Sequence, residues 1–347
     1  MQRIALISEN LALPLDEGFK KAAAEIAGAL AAIGRDVTVF TPEPGALGLE
    51  TIRLPRNKLL LGTAFGRRLR ELAPDVVLYI PQSAATAMSL VRAALLKSQS
   101  GGLPVVVMSL QRRSHPASVR PLLKMLGRPD LVMVLSRVSL ATMRHSGLKA
   151  VRVPLGVDPD RFSPPGPGEG ARLRAKHALG DSEFILHIGH ISSRRNLNVL
   201  RRVAEAGRHV LIVTSTSTRQ DPRVAQVLHH PNIMLINRYV EDINEIYRLA
   251  QGYIFPTFSQ MGAIEIPLSI LEAMASNLAV VTTPFGGIPD LFEPGGGLSI
   301  CRTDDELIKQ AMQITDLKTV STRESVLPLS WKHVARTMLE TMETELR

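Results

Sequence analysis

The strongest constraint in this sequence is an alternation that occurs twice. Short runs of branched apolar residues take turns with longer stretches of helical period, first in residues 1–160 and again from residue 184 onward. "RIALIS" reads as a buried strand. "EGFKKAAAEIAGALAAIG" then sets Phe19, Ala23, Ile26, Leu30 and Ile33 at helical spacing, with Gly34 suited to end the helix. "DVTVFT", "DVVLYI", "LPVVVMSL" and "DLVMVLS" continue the strand series, with the helical "AATAMSLVRAALLKS" among them. In the second series "FILHIGH", "HVLIVTS", "GYIFPTF" and "LAVVTTPFGG" are the strands. "NLNVLRRVAEAG", "DINEIYRLAQ" and "PLSILEAMASN" are the helices. Strands this short and apolar suit a parallel sheet covered on both faces.

With 347 residues the chain exceeds what one core usually serves, so two domains are expected. Between the series lies "SPPGPGEGA", residues 163–171, a Pro/Gly-rich stretch expected to lack regular structure. The expected domains are residues 1–160 and 172–330. "SWKHVARTMLETMETEL" forms a closing helix over 331–347, with Val334, Met338 and Met342 along one face, packing back toward the first domain. Aromatic residues are few, so the cores must rest on Leu, Val, Ile and Ala. The single cysteine, Cys301, excludes an intramolecular disulfide and a thiolate metal cluster and fits a reducing compartment. No run approaches the ~20 apolar residues of a spanning helix. "MQRIALISE" enters the strand pattern at once, so no cleaved signal is expected, and a cytoplasmic location follows.

Charge is distributed unevenly. Residues 1–160 hold 21 Lys and Arg against 12 Asp and Glu, hence +9; residues 161–347 hold 20 against 20, hence 0. The excess gathers in Arg53, Arg56, Lys58, Arg67, Arg68 and Arg70, and again in Arg112, Arg113, Arg120, Lys124 and Arg128. One reading is a solvated basic face. The other is attraction to an anionic acceptor or to an anionic lipid surface, placing the protein at the inner face of the membrane. No basic stripe with interleaved aromatics and no zinc spacing accompanies the charge, so no nucleic-acid partner is expected.

Open parallel sheets bind ligands outside the C-terminal ends of their strands, which directs attention to the loops there. "IGHISSRRNLNVL" offers Gly189 for a close turn, His190 at the strand end, Ser192, then Arg194 and Arg195 before a helix expected near Asn196. Helix N-terminal amides with a guanidinium make a diphosphate cradle, though Gly-Ser-Arg loops also occur as plain turns. The loop is neither a P-loop nor a dinucleotide fingerprint. "TPFGGIPDLFEPGGG" brings Gly286, Gly287 and Ile288, either as a helix start or as backbone lying against a sugar or phosphate. Asp158 and Asp160 lack a nearby third acid, so they read as a turn and no metal is expected. No Ser-His-Asp order can be argued, and the absence of Gly-x-Ser-x-Gly weakens a hydrolase reading.

"GAIEIPLSILEAMA" carries Glu265 and Glu272 in an otherwise apolar segment, with a helix expected from near Ile266. One reading makes one acid a helix-end charge and leaves the other exposed. The other has both facing a ligand rich in hydroxyls: seven positions are close to two helical turns, so the acids could share a face.

Taken in order, these pieces resemble the retaining glycosyltransferases of family 4. The resemblance rests on "VPLGVDPDRFSP", "LHIGHISSRRN", "NRYVEDINEIYRLAQGYIFPTF", "IPLSILEAMASNLAVVTTPFGGIPDLF" and "SWKHVA". It covers residues 150–340, and "EIAGALAAIGRDVTVFTP" extends it to the first domain. It implies a GT-B fold, with two Rossmann-like domains whose parallel sheets face each other across a cleft. The implied partners are a nucleotide-sugar donor in the second domain and a hydroxyl acceptor in the first; the basic first half suggests an anionic or lipid-linked acceptor. No cofactor or metal is implied. Glu272 takes the place of the acid gripping the ribose, and Arg195 that of the phosphate-loop cation. Gly286 and Gly287 border the donor sugar and phosphates. Gly18, Gln111 and Arg112 fall on the acceptor side. The sequence departs from the pattern in three places. The first acid, expected eight positions before Glu272 with seven residues between, falls on Ile264, with Glu265 next to it. The arginine after the loop glycine is His190. The histidine of the first domain aligns with Gln111, whose amide binds a hydroxyl but carries no proton.

Sugar transfer puts negative charge on a leaving diphosphate, so fixed positive potential from Arg195 and Arg194 would be the main catalytic term. Glu265 would orient a donor-sugar hydroxyl. Retention with front-face attack follows from the resemblance, and closure about residues 163–171 would exclude water. Three alternatives stay open: a sugar-nucleotide epimerase or phosphorylase of similar architecture, an inactive sugar-nucleotide-binding protein, and a nucleic-acid role.

Overall fold

The computed structural model of the chain describes residues 1–45, 47–82, 84–113, 121, 128–215 and 217–347. It contains two compact units. Unit 1 comprises Met1–Leu155, Ala263–Ile266 and Trp331–Arg347; unit 2 comprises Gly156–Gly262 and Pro267–Ser330.

Unit 1 is built on a seven-stranded parallel sheet of β1 (Arg3–Ser8), β2 (Asp36–Thr41), β3 (Thr51–Arg53), β4 (Val76–Ile80), β5 (Val105–Met108), β6 (Leu131–Val134) and β7 (Ala150–Arg152), in the order β3-β2-β1-β4-β5-β6-β7. β1 lies between its partners with Leu6 opposite Val39 on one side and Leu78 on the other. β4, β5 and β6 are buried at every position, which explains their unbroken apolar runs. Helices α1 (Gly18–Ala32), α2 (Thr63–Glu71), α3 (Ala87–Gln99) and α4 (Arg137–His145) connect or flank the strands. Thr86 caps α3 through Ser89, and Ser136 caps α4 by accepting from the Ser139 N–H. One core cluster joins Ile7, Phe40, Tyr79 and Val107 from the sheet to Phe65, Leu69 and Leu90 from the helices, with Phe40 and Phe65 meeting edge to face. The C-terminal helix Trp331–Glu345 packs on α1, burying Val334, Met338 and Met342.

Unit 2 repeats the plan with six parallel strands: β8 (Phe184–Ile188), β9 (His209–Val213), β10 (Ile233–Ile236), β11 (Gly252–Phe255), β12 (Ala279–Thr282) and β13 (Leu298–Ile300), ordered β10-β9-β8-β11-β12-β13. Its helices include α5 (Glu169–Lys176), α6 (Asn198–Glu205), α7 (Pro222–Val227), α8 (Ile243–Leu249), α9 (Leu268–Ala275), α10 (Ile288–Leu291), α11 (Asp304–Gln313) and α12 (Thr322–Val326). The strand order reverses at β8/β11, the position where such sheets open a ligand crevice.

Three local expectations are corrected. The Pro/Gly-rich stretch does not stay irregular to residue 171. Gly168 takes a left-handed conformation (φ 71°), Glu169 accepts from the Gly166 N–H at 2.8 Å, and α5 begins there. No helix starts at Asn196. Ser193–Arg195 form a single 3-10 turn, Asn196 is left-handed (φ 55°), and α6 begins only at Asn198. The helix carrying Glu272 begins at Leu268 rather than near Ile266, because Pro267 disfavours helical backbone in the residue before it. The short β3 and β7 and helix α2 were not expected as elements. Arg120 and Lys124 lie outside the described residues.

Candidate functional site

In unit 2 the C-terminal ends of β8, β11 and β12 bring three loops together. The first holds the turn after β8. Arg195 is only 7 % exposed, with its guanidinium carbon 5.6 Å from the Phe255 ring centroid. Its backbone N–H donates to Ser192 O at 3.1 Å, and Thr257 donates to its carbonyl. Among the described residues no carboxylate pairs with the guanidinium, and its buried Nε has no hydrogen-bond partner. Burial lowers its pKa to about 10. Arg194, next to it, is exposed, while His190 and Ser192 are half-buried. A Cβ at Gly189 would lie 3.0 Å from Arg195 Nη1, so a larger residue there would press on the guanidinium.

The second loop follows β11. Gly262 lies where a Cβ would meet Thr257 Cγ2 at 2.7 Å and Arg194 O at 2.9 Å, tying this loop to the arginine turn. Gln260 accepts from the Gly286 N–H at 3.2 Å. The third loop carries Gly286, left-handed at φ 55°, and Gly287 ahead of α10, whose first residue Ile288 is fully buried. Thr283 donates its hydroxyl to Thr257 O, linking the second and third loops.

Glu272 lies on α9, 6 % exposed, and accepts from the Tyr247 hydroxyl of α8 at 2.8 Å. Tyr247 is fully buried edge to face on Phe162, and burial beside the Glu272 charge pushes its hydroxyl pKa well up. Both carboxylate and phenol thus sit in a low-dielectric part of unit 2.

Glu265 is placed differently. It precedes α9, so the shared helix face expected for the two acids does not exist. It belongs to unit 1, where it is 1 % exposed and accepts at Oε1 from Ser136 Oγ (2.6 Å) and Ser139 Oγ (2.9 Å). Its backbone N–H donates to Leu110 O at 2.8 Å. Gln111 Nε2 donates to Ala263 O at 2.9 Å, and Gly18, the first residue of α1, faces Ile264, whose Cδ1 would lie 3.2 Å from a Cβ at Gly18. Arg112 is exposed. Gly18 and Gln111, expected on the acceptor side, therefore meet the segment Ala263–Ile266.

Sequence reasoning missed Tyr247, Thr257, Gln260 and Phe255 as site residues. No spacing signal links Tyr247 to Glu272, since the contact joins two helices that β11 separates in the chain. Among the described residues no group of three or more His, Cys, Asp or Glu could hold a metal ion, and no helix is long and apolar enough to cross a membrane.

The comparisons with known proteins agree with this geometry. Both units are Rossmann-like, and the chain has the fold of the GT-B glycosyltransferases. A glycosyltransferase from Rickettsia africae matches with a TM-score of 0.78 at 16 % identity, over 100 % of this chain and 99 % of that one. Anabaena HepE in complex with UDP and glucose matches with a TM-score of 0.78 at 15 % identity, over 99 % and 100 %. Residues 183–316, most of unit 2, match the family model for glycosyl transferases group 1. Over 138 residues the chain is 23 % identical to the sulfoquinovosyl transferase SQD2 of Arabidopsis thaliana, covering 39 % of this chain and 26 % of that protein. The chain thus spans about a quarter of the length of that curated relative.

Proposed function

We propose that the protein is a glycosyltransferase that moves a sugar from a nucleoside-diphosphate donor, bound in unit 2, to a hydroxyl acceptor. The observation that carries this reading is Arg195: a buried guanidinium at the C-terminal edge of the sheet with no carboxylate partner among the described residues. A buried cation left without a counter-charge is costly, and an anionic ligand removes that cost. The family match over residues 183–316 and the UDP complexes of HepE support a sugar nucleotide as that ligand.

In this reading Arg195 stabilises the charge that develops on the leaving diphosphate. Arg194 adds exposed positive charge, and His190 takes a lesser part as a pH-dependent donor. Ser192, Gly189 and the Gly286–Ile288 loop border the phosphates and sugar. Glu272, an acceptor of hydrogen bonds, receives the ribose hydroxyls. No nucleophile is assigned, so the acceptor hydroxyl attacks from the face the leaving group departs, with retention, and the departing phosphate oxygen takes its proton. Glu265, held by two serines, anchors its loop rather than the donor sugar. The chemistry needs no metal where Arg195 supplies the charge.

The acceptor is proposed to be anionic or lipid-linked and presented at a membrane surface. Unit 1 supports this with a preorganised loop. Asn57 Oδ1 accepts from the N–H groups of Leu59 (3.2 Å) and Leu61 (3.0 Å), and Gln99 clamps Leu60 O and the Gly62 N–H. Leu60 is buried as an anchor, while Leu59, Leu61, Arg56, Lys58 and Arg67 point outward, a mixture suited to an anionic lipid surface.

Binding of UDP, GDP and ADP to the full chain by calorimetry, followed by transfer assays with the nucleotide that binds, tests the donor reading. Wild-type binding that R195A abolishes supports it; no binding of any nucleoside diphosphate ends it. Donor isomerised without an acceptor would favour the epimerase alternative, and binding without turnover an inactive binding protein. Sedimentation with anionic vesicles at low and high salt tests the surface, and no pelleting at low salt removes it.

A further inference from the structure

We infer that His187 is a positioning residue for the Arg195 guanidinium: a neutral lone-pair neighbour that holds the cation in place without cancelling its charge. The inference rests on the donor reading of the same site and adds a role to a buried strand residue that this reading does not use.

The argument begins with the tautomer. His187 is fully buried in β8, and its Nδ1 lies 2.9 Å from Ile254 O of β11. A carbonyl only accepts, so Nδ1 carries the hydrogen and Nε2 carries a lone pair. That Nε2 is buried with no hydrogen-bond partner. A Cβ built on Gly189 would meet His187 Nε2 at 3.2 Å, Arg195 Nη1 at 3.0 Å and Arg195 Cζ at 3.3 Å. The imidazole nitrogen and the guanidinium therefore border one small volume beside the Gly189 Cα, which a Cβ there would crowd. The Phe255 ring forms a further wall.

These neighbours share one property: each attracts a cation without carrying a formal negative charge. A carboxylate in the place of His187 would satisfy Arg195 and remove its field from any ligand. An apolar residue would leave the guanidinium with the Phe255 face alone. The neutral imidazole is the intermediate case, a dipole with its negative end free. Burial and the nearby Arg195 charge both keep it neutral, with its pKa lowered to about 4. Tyr253 of β11 is the other titratable group acting on Arg195; its own pKa is raised by burial, so it too remains uncharged.

The test uses the full chain with inorganic pyrophosphate as probe. H187Q retains an amide N–H for Ile254 O and an acceptor oxygen, whereas H187F and H187L retain neither. H187F and H187L are expected to weaken pyrophosphate binding about threefold, since Nε2 makes no hydrogen bond to the guanidinium and only its dipole is lost, while H187Q stays close to wild type. In ligand-free protein the guanidinium nitrogen resonances of Arg195 are expected to titrate at lower pH in H187F than in wild type, a shift that a purely structural role would not cause. Unchanged binding and an unchanged titration in H187F and H187L would overturn the inference. Wild type failing to bind pyrophosphate would count against the donor reading instead, and the ligand-free titration would still decide the role of His187. Should the apolar variants not fold, nitrogen NMR of the wild-type imidazole settles the premise: a protonated Nε2 at neutral pH overturns it, and an unprotonated Nε2 upholds it.

Discussion

The Tyr247 hydroxyl donates to Glu272 Oε2 across 2.8 Å, and both groups are buried in unit 2. The phenol thereby fixes one oxygen of the carboxylate proposed to receive the ribose. Y247F removes that donor and leaves a buried charge less satisfied. A stability loss of about 1–2 kcal/mol is expected, read as a lower thermal midpoint. Nucleoside-diphosphate affinity should fall in the same variant. E272A should lose more affinity, about tenfold or greater, with its fold intact by circular dichroism. Equal affinity in wild type and E272A would detach Glu272 from the donor.

Arg195 gives a pH limit. Burial lowers its pKa to about 10, so the free protein begins to lose this cation as pH rises through that value. An anion bound against the guanidinium favours the charged form and raises the pKa again. Nucleoside-diphosphate binding should therefore be steady below about pH 9 and weaken above about 10, with proton uptake on binding in that upper range. Calorimetry in buffers of different ionisation enthalpy measures the uptake directly. R195K, with a compact ammonium in the same burial, should bring the limit to lower pH.

His187 gives an acid limit. Its pKa is about 4 in the folded protein against an ordinary 6.5, because burial disfavours the charged ring. Between these values the unfolded chain binds a proton that the folded one does not. The sign follows: the His187 contribution is complete above pH 6.5 and is lost as pH falls to about 4. The loss amounts to about 3 kcal/mol, at about 1.4 kcal/mol per pH unit. Urea melts of wild type and H187Q between about pH 7 and 4 should diverge in wild type's disfavour toward acid.

Glu265 should behave as part of unit 1. E265A removes a buried carboxylate that accepts from Ser136 and Ser139, and strands both hydroxyls. A loss of about 3 kcal/mol is expected, whereas S136A and S139A singly should each cost less. Binding of the intact nucleotide sugar by the folded fraction should stay near wild type. A loss of binding without a loss of stability would instead return Glu265 to the donor sugar.

Much of this architecture was legible locally. β1, from Arg3 to Ser8, begins and ends where "RIALIS" does, because its buried stretch Ile4–Ile7 must be apolar. α1 and the helix at 331–345 follow the helical spacing of their apolar residues for the same reason. Where the reading went astray, backbone chemistry of single residues was responsible. Asn196 adopts a left-handed conformation that no hydrophobic pattern announces. Gly168 is left-handed too, and there it lets α5 begin inside a stretch that looked irregular.

The candidate site divides the same way. Residue type and order, read through the family resemblance, pointed to Arg195, Glu272 and the Gly286–Gly287 loop as candidates. Charge asymmetry between the halves was equally visible. Which groups meet was not. Glu265 and Glu272 are seven positions apart, yet one is held by Ser136 and Ser139 and the other by Tyr247. Likewise, the imidazole of His187 comes beside Arg195 only once β8 pairs with β11 and the chain turns at Gly189. Sequence alone determined two parallel α/β units, since periodicity and strand burial act over a few neighbouring residues. Tertiary structure alone decided the partners of each buried charge, since those contacts are chosen by how strands and helices far apart in the chain pack, and a buried charge is stable only beside the groups that packing delivers.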